Sequence, residues 1–137
     1  MAIRNIEYVA ISPGHGWVVN HHRLPTEEPY HYMINSKEYG GRDGMSIWDL
    51  MFTQDMFQAD NERLKLCLDI GWLPHADPDG RYQLLLLKMR TGGFDGTCLI
   101  PDWDNPIIRF TTTRSSSINE IALSILERNV LSIERLL

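Results

Sequence analysis

His15, His21, His22 and His31 lie close together in the first quarter of the chain, near Glu27 and Glu28. Imidazole is a common metal ligand, and strand residues two apart share a face, so a metal site is the first chemistry to test here. The spacing matches no zinc pattern, and adjacent His21 and His22 would point to opposite faces of a strand. We therefore expect no metal and no other cofactor, with these histidines on the surface or hydrogen-bonded. A small metal-dependent enzyme or ligand-binding domain built on them is the second reading.

Nucleophiles and phosphate loops give no stronger signal. Cys67 and Cys98 have neither metal spacing nor a family signature, and Ser115-Ser116-Ser117 reads as a helix start. No G-x-S-x-G is present. Pro13-Gly14-His15-Gly16-Trp17 lacks the lysine of a phosphate-binding loop and reads as a tight turn. Asp77, Asp79 and Gly80 echo a calcium loop, but the required Glu would fall at Lys88. No catalytic residue is expected, and the protein is read as a non-enzyme.

Acids set beside aromatics are the remaining signal. Asp43, Asp49, Asp55, Asp60 and Glu62 follow one another with no Lys or Arg between them. Asp102 and Asp104 flank Trp103 in a loop bounded by Pro101 and Pro106, and Glu27-Glu28 adjoin Tyr30. A tryptophan between two acids suits an interface anchor for a basic partner. The candidate partner-binding residues are Asp102, Trp103, Asp104, Glu27, Glu28, Tyr30, Asp43, Asp49 and Asp55.

The elements that must position these residues follow from periodicity. Residues 3–11 and Trp17-Val18-Val19 read as a first hairpin around a Gly/Pro turn, and residues 30–35 as a short third strand. Residues 36–44 read as a polar loop, followed by a helix from near Ser46, with Asp49 in the place of the usual Glu or Gln of a capping box and Ile47, Leu50, Met51 and, at its limit, Gln54 on helical spacing; the stretch Ile47 to Phe57 is rich in aromatics and Met. Leu64, Leu66, Leu68, Ile70 and Trp72 alternate with polar or small residues, which predicts a half-buried strand. A turn over 74–80 and a strand over 81–89 complete a long hairpin, and shorter strands are expected over 97–100 and 107–113. The last helix should begin at a Ser117/Glu120 capping box, with Ile118, Ile121, Ala122, Ile125, Leu126, Val130 and Ile133 on one stripe. The expected fold is α+β: an antiparallel β-sheet with the C-terminal amphipathic helix packed on one face and a second helix in the middle of the chain.

Composition bounds the rest. The chain has 137 residues, 43% hydrophobic and 23% charged, and a net charge of −5. That predicts one globular domain over 1–137, with no need of disulfides. Basic residues are scattered singly, which argues against nucleic-acid binding. No apolar run approaches a membrane span, and the N-terminus lacks the pattern of a signal peptide. A cytoplasmic protein with reduced thiols is expected, and its oligomeric state is left open.

The 64–89 hairpin, the Asp102-Trp103-Asp104-Asn105-Pro106 loop leading into Ile107-Ile108-Arg109-Phe110, and the closing amphipathic helix together resemble, in layout, small bacterial immunity proteins. These neutralise toxins of contact-dependent growth inhibition or polymorphic secretion systems. The resemblance implies tight binding of one cognate toxin, often a nuclease with a basic active site. It carries over no site residue.

Protein purified without added metal is expected to contain no stoichiometric zinc, nickel or iron. Elemental analysis that finds about one metal per chain would promote the histidine-based reading.

Overall fold

The computed structural model describes residues 3–42, 44–129 and 131. Asp43, and Val130, Ile133 and Glu134 beyond the last helix, lie outside them. The order is β1 (Trp17–His22), α1 (Pro29–Ile34), a 3-10 turn (Ser36–Tyr39), α2 (Gly44–Met51), β2 (Phe57–Asn61), β3 (Leu66–Leu73), β4 (Arg81–Gly92), β5 (Cys98–Pro101), β6 (Ile108–Thr112) and α3 (Ser115–Arg128). The fold is α+β, and every strand pairing in its six-stranded sheet is antiparallel.

The sheet runs β1-β2-β3-β4-β5, and β6 also pairs with β4. β3 occupies one edge of β4, and β5 and β6 share the other. The alternation of side chains then sorts residues onto two faces. Leu66, Leu68, Ile70, Trp72, Tyr82, Leu84 and Leu86 point to the face that carries the helices. There they meet Trp48 and Phe52 of the α2 region and Ile118, Ile121 and Ile125 of α3. Aromatic edges lock this layer: Trp72 lies 5.0 Å from Tyr82 and 5.1 Å from Phe52, between ring centroids. The opposite face carries no helix among the described residues, and its apolar content is a smaller cluster of Cys67, Leu85, Leu87 and Met89. β3 is thus buried on both sides at Cys67, more than its half-buried sequence pattern suggests.

Several expectations change. Residues 3–11 form no strand; the segment is an extended strap with one bridge, Tyr8 to Pro25. Its backbone bonds reach Glu38, Leu24 and Glu7–Thr26 instead of β1, which pairs with β2. Residues 30–35 fall largely in α1, because Pro29 opens a helix with its φ already set and no N–H to waste, and Tyr32 anchors it in the core. Within 36–44, Ser36–Tyr39 is helical, and α2 begins at Gly44, before Ser46. It ends at Met51, short of Gln54, and Phe57 opens a strand that the sequence pattern does not mark.

The start of α3 also differs. It begins at Ser115, ahead of the Ser117/Glu120 pair, and Arg114 at the cap position makes no side-chain capping bond. The cap comes from a distant residue. The backbone N–H of Ser115 donates to Oε1 of Glu28 at 2.8 Å, and that of Ser116 to Oε2 at 2.9 Å. One carboxylate therefore satisfies two orphan donors and meets the positive end of the helix dipole.

Replacing Glu28 by Ala is expected to lower stability by about 1–2 kcal/mol, with Glu28→Gln intermediate because it keeps one acceptor. Denaturant unfolding of the three proteins checks this; a wild-type midpoint for Glu28→Ala would show that the cap is not stabilising.

Candidate functional site

On the helix-free face, the strand registers align one cross-sheet row: His21, Gln58, Asp69, Leu85 and Arg109. Two backbone irregularities bring further groups to this row. The first lies at Gly71. Beyond the end of β2, Met56 N–H donates to Ile70 O, and Trp72 N–H donates to Thr53 O. This segment passes so close that a β-carbon on Gly71 would stand 1.9 Å from the Gln54 carbonyl oxygen. Only glycine lets the chain cross there, and the crossing delivers Asp55 to the neighbourhood of Asp69.

The second irregularity is on the far edge of β4. Met89 faces Pro101, whereas Leu86 faces Ile108. Three steps along β4 are thus matched by seven on the returning chain, and four residues are extruded. The neck is closed by Asp102 N–H donating to Lys88 O and Ile107 N–H to Leu86 O, both at 2.8 Å. The extruded residues are 103–106, and Trp103 among them stays 49% exposed.

These pieces enclose a cavity of about 330 Å³ lined by His21, Asp55, Phe57, Gln58, Asp69 and Trp103. Burial, and then the Asp55 charge, push the Asp69 carboxyl up to about 6. Among the described residues no hydrogen-bond donor meets that carboxylate. His21 brings no compensation: its Nε2 lies 2.9 Å from the Asp55 carbonyl oxygen, so the ring donates there. The site is a concave, half-dry place with negative charge and an indole wall, suited to holding a cation.

Of the residues singled out from sequence, Trp103 and Asp55 meet at this cavity. Asp104 is exposed on the same loop. Asp102 is not available as a free acid: its Oδ2 lies 2.7 Å from Nη2 of Arg90, and the side chain is only 19% exposed. Glu28 is occupied by the α3 cap. Glu27 is exposed, and Asp49 is exposed on α2, a helix that packs on the other face. Tyr30, 64% exposed, lines a separate cavity of about 400 Å³ with Pro29, Met33, Trp48 and Asp79. Asp69 and Gln58 were missed by sequence reasoning. The available signal was an acid at the centre of the alternating strand, but alternation alone assigns such a residue to solvent.

The histidines are dispersed. His22 donates through Nε2 to Val9 O at 2.6 Å and accepts the Leu24 N–H at Nδ1. His31 pairs with the Tyr39 hydroxyl at 2.7 Å, and His75 accepts the Gln54 N–H. Among the described residues, no group of three His, Cys, Asp or Glu could hold a metal ion. Cys67 and Cys98 are free thiols, and burial, reinforced by Asp60, pushes Cys67 up to about 12, which makes it a poor nucleophile.

Asp69 also has a cost that can be measured. Its folded-state value lies above the ordinary 3.8, so the folded protein binds its proton more tightly than the unfolded chain. Ionised Asp69 therefore opposes folding above pH 6 and ceases to do so below about pH 4. Asp69→Asn is expected to stabilise the protein near neutrality by on the order of 1 kcal/mol, after allowance for solvent screening of this partly exposed group. The gain should vanish as pH falls towards 4, and denaturant midpoints across that range test it. A destabilised Asp69→Asn at pH 7 would mean that the carboxylate is structurally satisfied. Compared with protein-family models, with curated proteins and with solved structures, the chain matches none.

Proposed function

We propose that this chain is a non-enzymatic protein-binding module, an immunity protein that neutralises a cognate basic toxin, of nuclease type, in the bacterial cytoplasm. The observation that carries this reading is the four-residue loop extruded from the β4 edge, which holds a half-exposed Trp103 beside a cavity lined by Asp55 and Asp69. A surface tryptophan at the centre of a patch is the residue type most often found to dominate binding energy. The net charge of −5 would steer a basic partner towards it. A loop held closed at its neck by two backbone hydrogen bonds and the Asp102–Arg90 pair would lose little entropy on docking. No described helix is long and apolar enough to cross a membrane, which accords with a partner met in solution. The alternative built on the N-terminal histidines keeps only His21, whose ring lines the cavity with its N–H turned to a carbonyl.

The test is titration against the product of the adjacent gene at low and high salt. Trp103→Ala should weaken binding at least about tenfold, as expected of an anchor worth more than 1 kcal/mol. Asp104→Lys should act mainly by slowing association, with an effect that shrinks as salt rises. Asp104 is chosen over Asp102 because a change at Asp102 would also break the Arg90 pair. Unchanged affinity for both variants would remove this loop from the interface, and failure of the wild type to bind any neighbouring gene product would count against the immunity reading.

A further inference from the structure

We infer that the cavity beside Trp103 is a pocket for one arginine side chain of the protein partner, the guanidinium lying against the indole and shared between the carboxylates of Asp69 and Asp55. The inference rests on the reading of this face as a binding surface and names the group it takes.

Its basis is the donor–acceptor balance of the lining. Asp69 and Asp55 are acceptors, and among the described residues no Lys or Arg lines the cavity. Gln58 turns one N–H of Nε2 to the Cys67 sulfur at 3.8 Å, and its Oε1 is a further acceptor. His21 spends its Nε2–H on the Asp55 carbonyl. The cavity is thus richer in acceptors than in donors and walled on one side by an aromatic ring. Its volume of about 330 Å³ falls at the lower end of the range for small-ligand sites, roughly 300–1,000 Å³.

A guanidinium fits this chemistry better than an ammonium. It is planar and stacks on indole, it is weakly hydrated and so loses less on entering a half-dry site, and its five donors can serve several acceptors at once. The charged groups facing Asp69 from the surrounding elements are few. Asp55 stands on the segment before β2, and His21 on β1. Asp60, in the next row of β2, has its Oδ2 held by Asn20 Nδ2 at 3.0 Å. Arg109 on β6 lies in the same row but beyond Leu85, with no hydrogen bond or ion pair to Asp69. The unpaired charge is therefore left for an incoming cation. The raised value of Asp69 adds a consequence, since a proton and a guanidinium compete for it and binding should weaken as pH falls through about 6.

The experiment uses small probes on the whole protein: N-acetyl-arginine N-methylamide, its lysine counterpart and its citrulline counterpart, a neutral near-isostere of arginine. Chemical shifts of the Trp103 indole N–H and of the Asp55 and Asp69 amides report occupancy. The expected result is saturable binding of the arginine probe in the millimolar range. It should be weaker for lysine and absent for citrulline, lost in Trp103→Ala, and reduced about tenfold between pH 7 and pH 5 as protonation of Asp69 at about 6 dictates. In Asp69→Asn, residual binding should fall less over that interval than it does in the wild type. Equal binding of the lysine probe, binding of citrulline, no shift at tens of millimolar arginine probe, or full binding by Asp69→Asn would each overturn the inference. The probe needs no cognate partner. Failure here leaves the immunity reading standing, and failure of the wild type against neighbouring gene products leaves the pocket standing.

Discussion

β4 has to be satisfied on both edges and both faces at once. One edge is paired by β3 from Arg81 to Lys88, the other by β5 and β6, while its side chains feed the helix-side core at Leu84 and Leu86 and the smaller cluster at Leu85 and Leu87. A strand buried on both faces reads as a continuous apolar run, which is why four leucines stand in sequence. Backbone pairing cannot be given up in such a place without stranding buried polar groups. The returning chain is four residues too long for the edge, so the surplus is expelled as residues 103–106 and the ladder closes beneath it. The exposed tryptophan is a by-product of that closure, held by a strand paired on both edges.

The cavity depends on the same economy of backbone. Gly71 has no side chain to hold off Gln54, and so the segment before β2 can press against β3 and bring one carboxylate near another. Two acids in a partly dry site, with neither bonded to a donor side chain, are unfavourable for the fold by themselves. Local tension of this kind, concentrated beside an exposed aromatic, is more often found where a molecule meets a ligand than where it only packs.

Local patterns in the chain were the legible ones. The α3 stripe, the long hairpin and the late strands could be read because their spacing encodes them, and the α+β layout follows. Phe57–Asn61 was hidden because it continues an apolar stretch begun by α2, and residues 3–11 have strand-like composition but make a single bridge, from Tyr8 to Pro25, outside the sheet. The site was half legible. Trp103 and Asp55 stood out by type, but the engagement of Glu28 with α3 and of Asp102 with Arg90 depends on contacts that spacing does not encode. Asp69 was missed for the same reason: its neighbours come from β1, β2 and an extruded loop, and are brought together only by register.

The N-terminal strap has a consequence for biosynthesis. Gly14 N–H donates to Leu126 O, Ser12 N–H donates to the Glu127 carboxylate, and Glu28 waits for Ser115 and Ser116. Residues translated early are therefore bonded to residues as many as 115 positions further along, as in the Ser12–Glu127 bond. Ile6, Val9 and Ile11 pack against the main core, and until that core is assembled the strap must be tolerated as an apolar ribbon. Closure of so long a loop is slow relative to local pairing, so the hairpins would form first and the strap would be fastened only after α3 emerges.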